Sequence, residues 1–420
     1  MGAASKPRTA PNPEAIVPAA GGALAPMVER QKIRVLIVSF NLGQGGSERF
    51  LFELCKAFDR DRFDIEILTK YPTTPPEYYE PRLRELGIPI HHKMPRFLHL
   101  VRRFARPFFV FRPTRAIVET IHRLWMRFSI GGLLDRFDVI EAIQIENYYL
   151  VQPLVKNNDK IIIHLMSHAV QYDVSPYADC LPGRSYRFVL FDPAQKNDLA
   201  SLKCLRAETF DFPLALATHS FPDLSTKPKT SARYRIAIFQ RLHPKEHPFS
   251  GFFQALRHIL DVVDAELVIY GRGDPAVFDS ELLELNIRDR VTFVGHTASI
   301  ERALREDQIS LVWQISIGKA IGYSSIEIGA YGFPVLLWNI TGCEADPGNS
   351  DGFRTFHDPK ALADETLRLL NDPGEQRAAG AMLRQYVIRN YDIYGYMPSL
   401  EAKLMEIARE AGGPVAGSNA

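Results

Sequence analysis

Much that would betray a protein's business is missing from this chain. Only 4 of its 420 residues are cysteine (Cys55, Cys180, Cys204 and Cys343). They are scattered, with no pair at metal-ligand spacing, which argues against a zinc module or a disulfide framework and fits reduced thiols in a cytoplasmic protein. No run approaches the ~18 apolar residues that a membrane-spanning helix requires. With 50 basic against 49 acidic residues, no global field draws the chain to nucleic acid or anionic lipid, so electrostatic targeting must come from a local patch. Asp59-Arg-Asp61 has the bare spacing of an Asp-x-Asp metal motif, but it falls at a helix end on a surface turn. Residues 1–30 are rich in Ala, Pro and Gly without a continuous apolar segment, and read as a disordered leader instead of a signal peptide. Gly2 would suit myristoylation, but Lys6 stands where Ser or Thr is wanted.

What remains is a globular chain, 46% hydrophobic and 24% charged, long enough for two cores. Ile33-Arg-Val-Leu-Ile-Val-Ser39 is a nearly continuous apolar run, as expected of a strand covered on both faces. It leads through Asn41-Leu-Gly-Gln-Gly-Gly-Ser47 into an amphipathic helix carrying Phe50, Leu51, Leu54, Cys55 and Phe58 on one stripe. Phe63–Leu68, Asp138–Ile140 and Lys160–Leu165 read as further strands of the same sheet. The pattern then restarts with Tyr234–Phe239, Ala265–Tyr270, Arg290–Val294, Ile309–Trp313 and Pro334–Trp338. Strands alternating with helices imply parallel, doubly wound sheets. The expected architecture is α/β: two Rossmann-like domains, residues 31–223 and 224–395, facing a central cleft, with the polar stretch Leu224–Ser231 as linker. Ligands of such sheets bind beyond the carboxyl ends of the strands.

Five segments fall at those ends. Gly43-Gln-Gly-Gly-Ser-Glu48 follows the first strand; Gly45 and Gly46 let backbone approach a ligand, Ser47 is placed to cap the next helix, and Glu48 complements its N-terminus. The third glycine of a dinucleotide fingerprint is missing. Arg241-Leu-His-Pro-Lys-Glu-His-Pro248 follows the first strand of the second half, and the fork of Arg241 suits phosphate oxygens. Gly271-Arg-Gly-Asp274 and Val294-Gly-His296 are turns after the next two strands. Residues 315–335 carry Ser316, then a helix opened by Gly322, Tyr323 and Ser324, bearing Glu327 and stopped at Gly332-Phe-Pro334. A first turn of this kind offers free N–H groups to an anion. A carboxylate one turn further in can accept two hydrogen bonds from vicinal hydroxyls. Together they suit a nucleotide-linked sugar.

These segments resemble the donor-site signature of retaining GT-B glycosyltransferases of family 4 (glycosyl transferases group 1), over most of residues 33–390. The resemblance implies a metal-independent, cofactor-free transfer of a hexose from a UDP- or GDP-sugar to a saccharide or lipid-diphosphate-linked acceptor, as in bacterial exopolysaccharide or lipopolysaccharide synthesis. It implies that Gly45 and Gly46 lie over the reacting centre and that Gly271 and Gly295 flank the nucleotide. Arg241 and a lysine neutralise the diphosphate, Glu327 holds the ribose diol, and His168, at the end of the strand Lys160–Leu165, meets the sugar. His164, on the same strand, lies deeper as a packing or hydrogen-bonded residue. It also implies that residues 396–420 bring a helix back across the first domain. Two positions depart from the family pattern. Its lysine falls on Glu246, with Lys245 one residue earlier, and the first of its two glutamates falls on Lys319. A carboxylate ~4 Å from a phosphate charge costs roughly 4 kcal/mol at an effective dielectric near 20. Either Lys319 restores the charge by reaching the phosphates or pairing with Glu246, or Lys245 turns inward, or the site has decayed into that of a non-catalytic GT-B relative. The survival of Arg241, Ser316, Gly322, Glu327, Gly332 and Pro334 favours a rearranged, working site.

Residues 91–128 differ in kind. Nine cations (Lys93, Arg96, Arg102, Arg103, Arg106, Arg112, Arg115, Arg123 and Arg127) face one acid, Glu119, with seven aromatic side chains between them. The pattern suits an anionic surface at the inner face of the cytoplasmic membrane or a lipid-diphosphate acceptor. It equally suits a solvated helical face whose aromatics enter the core. Nucleic acid is not expected, since no recognition module accompanies the patch.

Overall fold

The computed structural model describes residues 32–70, 72–93, 120, 124, 127–166, 186–192, 195–201, 207–225, 233–243, 248–297, 299–316, 321–340 and 352–412. Among the described residues, thirteen strands fall into two sheets in which every pairing is parallel. The first holds β1 (Ile33–Val38), β2 (Phe63–Thr69), β3 (Ile90–His92), β4 (Val139–Ile143), β5 (Ile161–Leu165), β6 (Tyr186–Leu190) and β7 (Ala207–Asp211). Its order is 3-2-1-4-5-6-7. The second holds β8 (Tyr234–Phe239), β9 (Ala265–Tyr270), β10 (Val291–Gly295), β11 (Leu311–Ser316), β12 (Val335–Asn339) and β13 (Arg354–Phe356), in the order 10-9-8-11-12-13. In both, the order reverses next to the first strand, and that switch point opens a crevice at the carboxyl ends. Central strands are buried along their length because helices cover both faces: β4, β5 and β11 are buried at every residue, Glu141, His164, Gln314 and Ser316 included.

The helices that matter below are α1 (Gly46–Ala57), α2 (Ile145–Val151), α3 (Ser250–Leu260), α4 (Ile300–Glu306), α5 (Tyr323–Ala330), α6 (Pro359–Asn371), α7 (Pro373–Tyr391) and α8 (Ile393–Glu410). The outer core of the second sheet packs α3 and α6 on β11: Phe252 stacks on Trp313 at 5.5 Å, and the Trp313 indole donates to Thr366 Oγ1 at 3.0 Å. A larger apolar cluster runs without a break from the α1 face of the first sheet to the α5 face of the second, through Phe212, Leu216 and Phe221. The two chain crossings between the sheets lie side by side there. Leu216 N–H donates to Tyr391 O, and Ile393 N–H returns to Leu216 O, both at 2.9 Å. Asp392 also accepts from the Thr218 hydroxyl at 3.0 Å. Beyond them α8 lies against the first domain, where Glu401 accepts from the Asp59 amide (2.8 Å) and pairs with Arg62 (3.3 Å). Asp59-Arg-Asp61 is therefore a turn beneath α8, with Asp59 Oδ1 accepting from the Asp61 amide.

Candidate active site

The carboxyl ends of the two sheets enclose a cleft of about 580 Å³. From the first domain it is lined by Gln44, Gly45, Gly46 and Arg49 after β1, by Tyr78 and Tyr79 after β2, and by Met166 after β5. From the second come Gln240 and Arg241 after β8, His296, Thr297 and Ser299 after β10, and Gly322, Tyr323, Ser324 and Glu327 of α5.

The β1–α1 turn is built around Glu48. Gly45, not Ser47, is the N-cap of α1, and it makes no side-chain cap bond. The expected Ser47 cap is thus replaced: Ser47 sits inside the first turn and its hydroxyl donates to Glu48 Oε2 at 3.0 Å. The Glu48 carboxyl folds back over Gly45, where any side chain would collide with it. Burial pushes the Glu48 carboxyl up, against the pull of its own backbone amide, Ser47 and Arg241. That carboxyl is the far end of a flexible side chain, so a Cβ at Gly45 would displace it without striking backbone.

At Gly271 the obstacle is backbone. A Cβ there would strike the Gln240 carbonyl, so the β9 turn can pack on the β8 turn only without one. Leu242 N–H bonds Arg272 O, and Gly271 N–H bonds Gly295 O, each at 2.8 Å. Three turns are thereby tied into one rim. Arg241 is exposed on that rim and lines the cleft. Gly271, Gly295 and Ser316 stand just behind the lining, next to Gln240, His296 and Ile315 respectively; Ser316 is buried. Burial, then the neighbouring Arg272, lowers the His296 imidazole's affinity for a proton. Arg272 itself reaches across to donate to Gln44, joining the two lips.

Gly322 is the N-cap of α5 in extended conformation. Its carbonyl takes the Ser325 amide at 3.0 Å, so Tyr323 and Ser324 supply the amides that this turn can offer a ligand. Tyr323 is buried, its hydroxyl 3.5 Å from the Ala215 carbonyl oxygen. One turn on, the Glu327 side chain is 15% exposed and meets Arg49 across the domain boundary, Nη1 to Oε2 at 4.0 Å. Burial pushes the Glu327 carboxyl up; Arg49 opposes the rise, and Glu53 and Glu301 add to it. Burial works against the Arg49 charge too, yet Glu327 and Glu53 outweigh it and hold the guanidinium above its ordinary value.

The structure thus brings Gly45, Gly46, Arg241, Gly322, Tyr323, Ser324 and Glu327 to one cavity. His168, Lys245, Glu246 and Lys319, most of the patch 91–128, and the linker beyond residue 225 lie outside the described residues, although Met166, two residues before His168, lines the cleft. His164 is fully buried, and its Nδ1 is 2.8 Å from Glu141 Oε1. Arg49, Tyr78 and Tyr79 are cleft residues without a motif. Arg49 had one signal, since it falls one helical turn beyond Gly45 and Gly46; the tyrosines had none.

Residues 233–372 match the family model described as Glycosyl transferases group 1. No curated protein sequence matches the chain. Among solved structures, HepE of Anabaena in complex with UDP and glucose superposes with a TM-score of 0.66 at 13% identity, over 89% of this chain and 100% of that one. Sucrose-phosphate synthase of Thermosynechococcus elongatus gives 0.61 at 15%, over 89% and 100%. The lipopolysaccharide outer core galactosyltransferase WaaB in its apo form gives 0.59 at 12%, over 89% and 99%. The fold is GT-B. At these identities the likeness to solved structures is one of fold, and the family match covers the second domain alone. Among the described residues no helix is long and apolar enough to cross a membrane, and no three His, Cys, Asp or Glu side chains are grouped to hold a metal ion.

Proposed function

We propose that this chain is a glycosyltransferase that moves a hexose from a UDP- or GDP-sugar, with retention at the anomeric carbon, to a saccharide or lipid-linked saccharide. The observation that carries the proposal is the convergence of Arg241, the first turn of α5 and Glu327 in one interdomain cleft. A departing nucleoside diphosphate needs its growing charge met by groups already in place. Arg241 and the amides of Tyr323 and Ser324 answer that need, with Lys245 or Lys319 as the second cation and no metal. Glu327 takes the ribose diol, and His168 orients the sugar at the end of the β5 segment. The group 1 match over residues 233–372 and a fold shared with a UDP-glucose-bound neighbour, HepE, support a nucleotide-sugar donor. The basic, aromatic segment 91–128 would bring a lipid-linked acceptor to the cleft from an anionic membrane surface, as polysaccharide or lipopolysaccharide assembly requires.

Calorimetry with UDP and GDP is the test: one should bind, and Glu327→Ala should weaken it at least about tenfold and abolish transfer from a panel of nucleotide sugars, with the fold intact by circular dichroism. Failure of both nucleotides to bind the wild type would sink the proposal. The exchange of charges at Glu246 and Lys319 favours one alternative, a non-catalytic GT-B partner subunit or glycan-binding protein. It predicts neither donor hydrolysis nor transfer from any nucleotide sugar.

A further inference from the structure

We infer that Arg49, on α1 of the first domain, keeps the Glu327 carboxylate of the second domain ionised and turned toward the ribose diol, so that the nucleotide site is complete only when the two domains face each other. The inference rests on the nucleotide-sugar reading above and assigns a positioning residue to it.

The geometry is that of a braced cation. Arg49 Nε lies 2.9 Å from Glu53 Oε1, one turn along the same helix, and Glu53 is 6% exposed. Braced there, the guanidinium reaches over the boundary and stops 4.0 Å from Glu327. At that separation its charge is felt strongly in a buried setting, yet the carboxylate oxygens keep their capacity to accept hydrogen bonds from a ligand. A closer, bidentate pair would have consumed it.

Among the described residues, the other charges beside this carboxyl act against ionisation. The carboxyl of Glu327 faces Glu53 from α1 and Glu301 from α4, and both raise it. Tyr331, at the end of its own helix, is kept neutral by burial and by these carboxylates. Burial is the largest influence and pushes in the same direction. Lys56 and Arg82 line the side pocket of about 310 Å³ behind the pair. Arg82 is engaged with Tyr78, donating to its carbonyl at 2.7 Å and covering its ring at 3.9 Å. Among the described residues, Arg49 is the cation that pairs with this carboxylate. The chemistry requires the ionised form, because a neutral carboxyl gives up part of its acceptor capacity and cannot serve both hydroxyls of a diol equally.

UDP binding by calorimetry from pH 5.5 to 8, on the full chain and on Arg49→Met, Arg49→Gln and Arg49→Lys, tests this. Affinity should fall as pH drops through the Glu327 titration. In Arg49→Met and Arg49→Gln the fall should begin at a higher pH, with binding at pH 7 weakened about tenfold or more, and Arg49→Lys should recover most of it. 2′,3′-Dideoxy-UDP should bind all four forms with little difference, because the diol no longer reads the carboxylate. Wild-type affinity and pH dependence in both neutral variants overturn the inference, as does an equal loss for UDP and its dideoxy analogue, which would mark a merely structural role. If the wild type binds neither UDP nor GDP, the nucleotide-sugar reading falls first and the role of Arg49 with it. Should one neutral variant fail to fold, the other and the wild-type comparison of UDP with its dideoxy analogue across pH still decide.

Discussion

The two domains share a topology and bury different chemistry. Among the described residues, the first sheet and its helices bury Glu48, Glu53, Glu80, Lys93, Asp138, Glu141, Lys160, His164 and Asp192, and α8, which lies on that domain, adds Glu401. The second sheet buries polar side chains only of the neutral kind, among them Ser310, Gln314, Ser316, Asn339 and Thr366. Of its charged cleft residues, Arg241 is out on the rim and Glu327, 15% exposed, is set against Arg49 of the first domain. The second domain therefore builds its half of the cleft mainly from backbone, with glycine turns and helix amides on an apolar sheet. The first builds its half from side chains whose charges are set by burial. A backbone site tolerates pH and keeps a recognisable motif. A site made of buried charges is sensitive to pH and to single substitutions anywhere in its network.

Substituting one charge from each side should separate these designs. Arg241→Ala, on the rim, should lower transfer by roughly 100- to 1,000-fold, the usual loss when a preorganised group on a developing charge is removed. Its melting temperature should stay at the wild-type value, since the side chain is exposed. Glu141→Leu should do the reverse. His164 would be left buried without its 2.8 Å partner, between the rings of Phe50 (4.4 Å) and Phe212 (5.9 Å), at a cost of about 3 kcal/mol. Denaturant titration followed at buried Trp313 of the second domain and by circular dichroism would show whether that loss stays in the first domain. A stable Glu141→Leu, or an unfolding Arg241→Ala, would erase the contrast.

The same contrast governs what the sequence makes legible. Strands β1, β8 and β9 announce themselves because burial on both faces demands nearly unbroken apolar runs, and β2 does so by alternation, with Phe63, Ile65 and Ile67 buried and Asp64 exposed. The edge strands β3, β7 and β13 do not. Ile90-His-His92, Ala207-Glu-Thr-Phe-Asp211 and Arg354-Thr-Phe356 are short or half-exposed, and nothing forces them to be apolar. In the cleft, Gly322, Glu327 and Arg241 can be read because an anion-binding turn needs those residues in a fixed local order. Gly271 could be read as a turn, but its purpose, to let the Gln240 carbonyl pass, depends on a second turn 31 positions away. Arg49 and Tyr79 depend on the way two domains meet, which no local spacing encodes. Ser47 was misread because the side chain that organises the turn is Glu48, folding back from inside the helix.

The smallest expected effect concerns Lys93, at the carboxyl end of β3. Its amine donates to Asn147 Oδ1 of α2 at 2.7 Å and to the Ser39 carbonyl at 3.1 Å. Burial first, and Lys70 second, push it down to about 7. Unfolded, the same amine titrates near its ordinary value of 10.5. Between those limits the unfolded chain holds a proton that the folded one has released, so stability rises with pH, by about 2 kcal/mol from pH 7 to pH 9. Below about pH 7 both forms are protonated, the slope disappears, and the cost of burying the charge remains in full. Burial raises the Cys55 thiol, so that group acts in the opposite sense above its ordinary range. The informative quantity is therefore the difference in melting curves between wild type and Lys93→Met, in which Cys55 cancels. That difference should grow in the wild type's favour from pH 7 to pH 9. A flat difference would mean that the amine keeps its proton through its two hydrogen bonds, and that the buried charges of the first domain are as indifferent to pH as the neutral polar groups of the second.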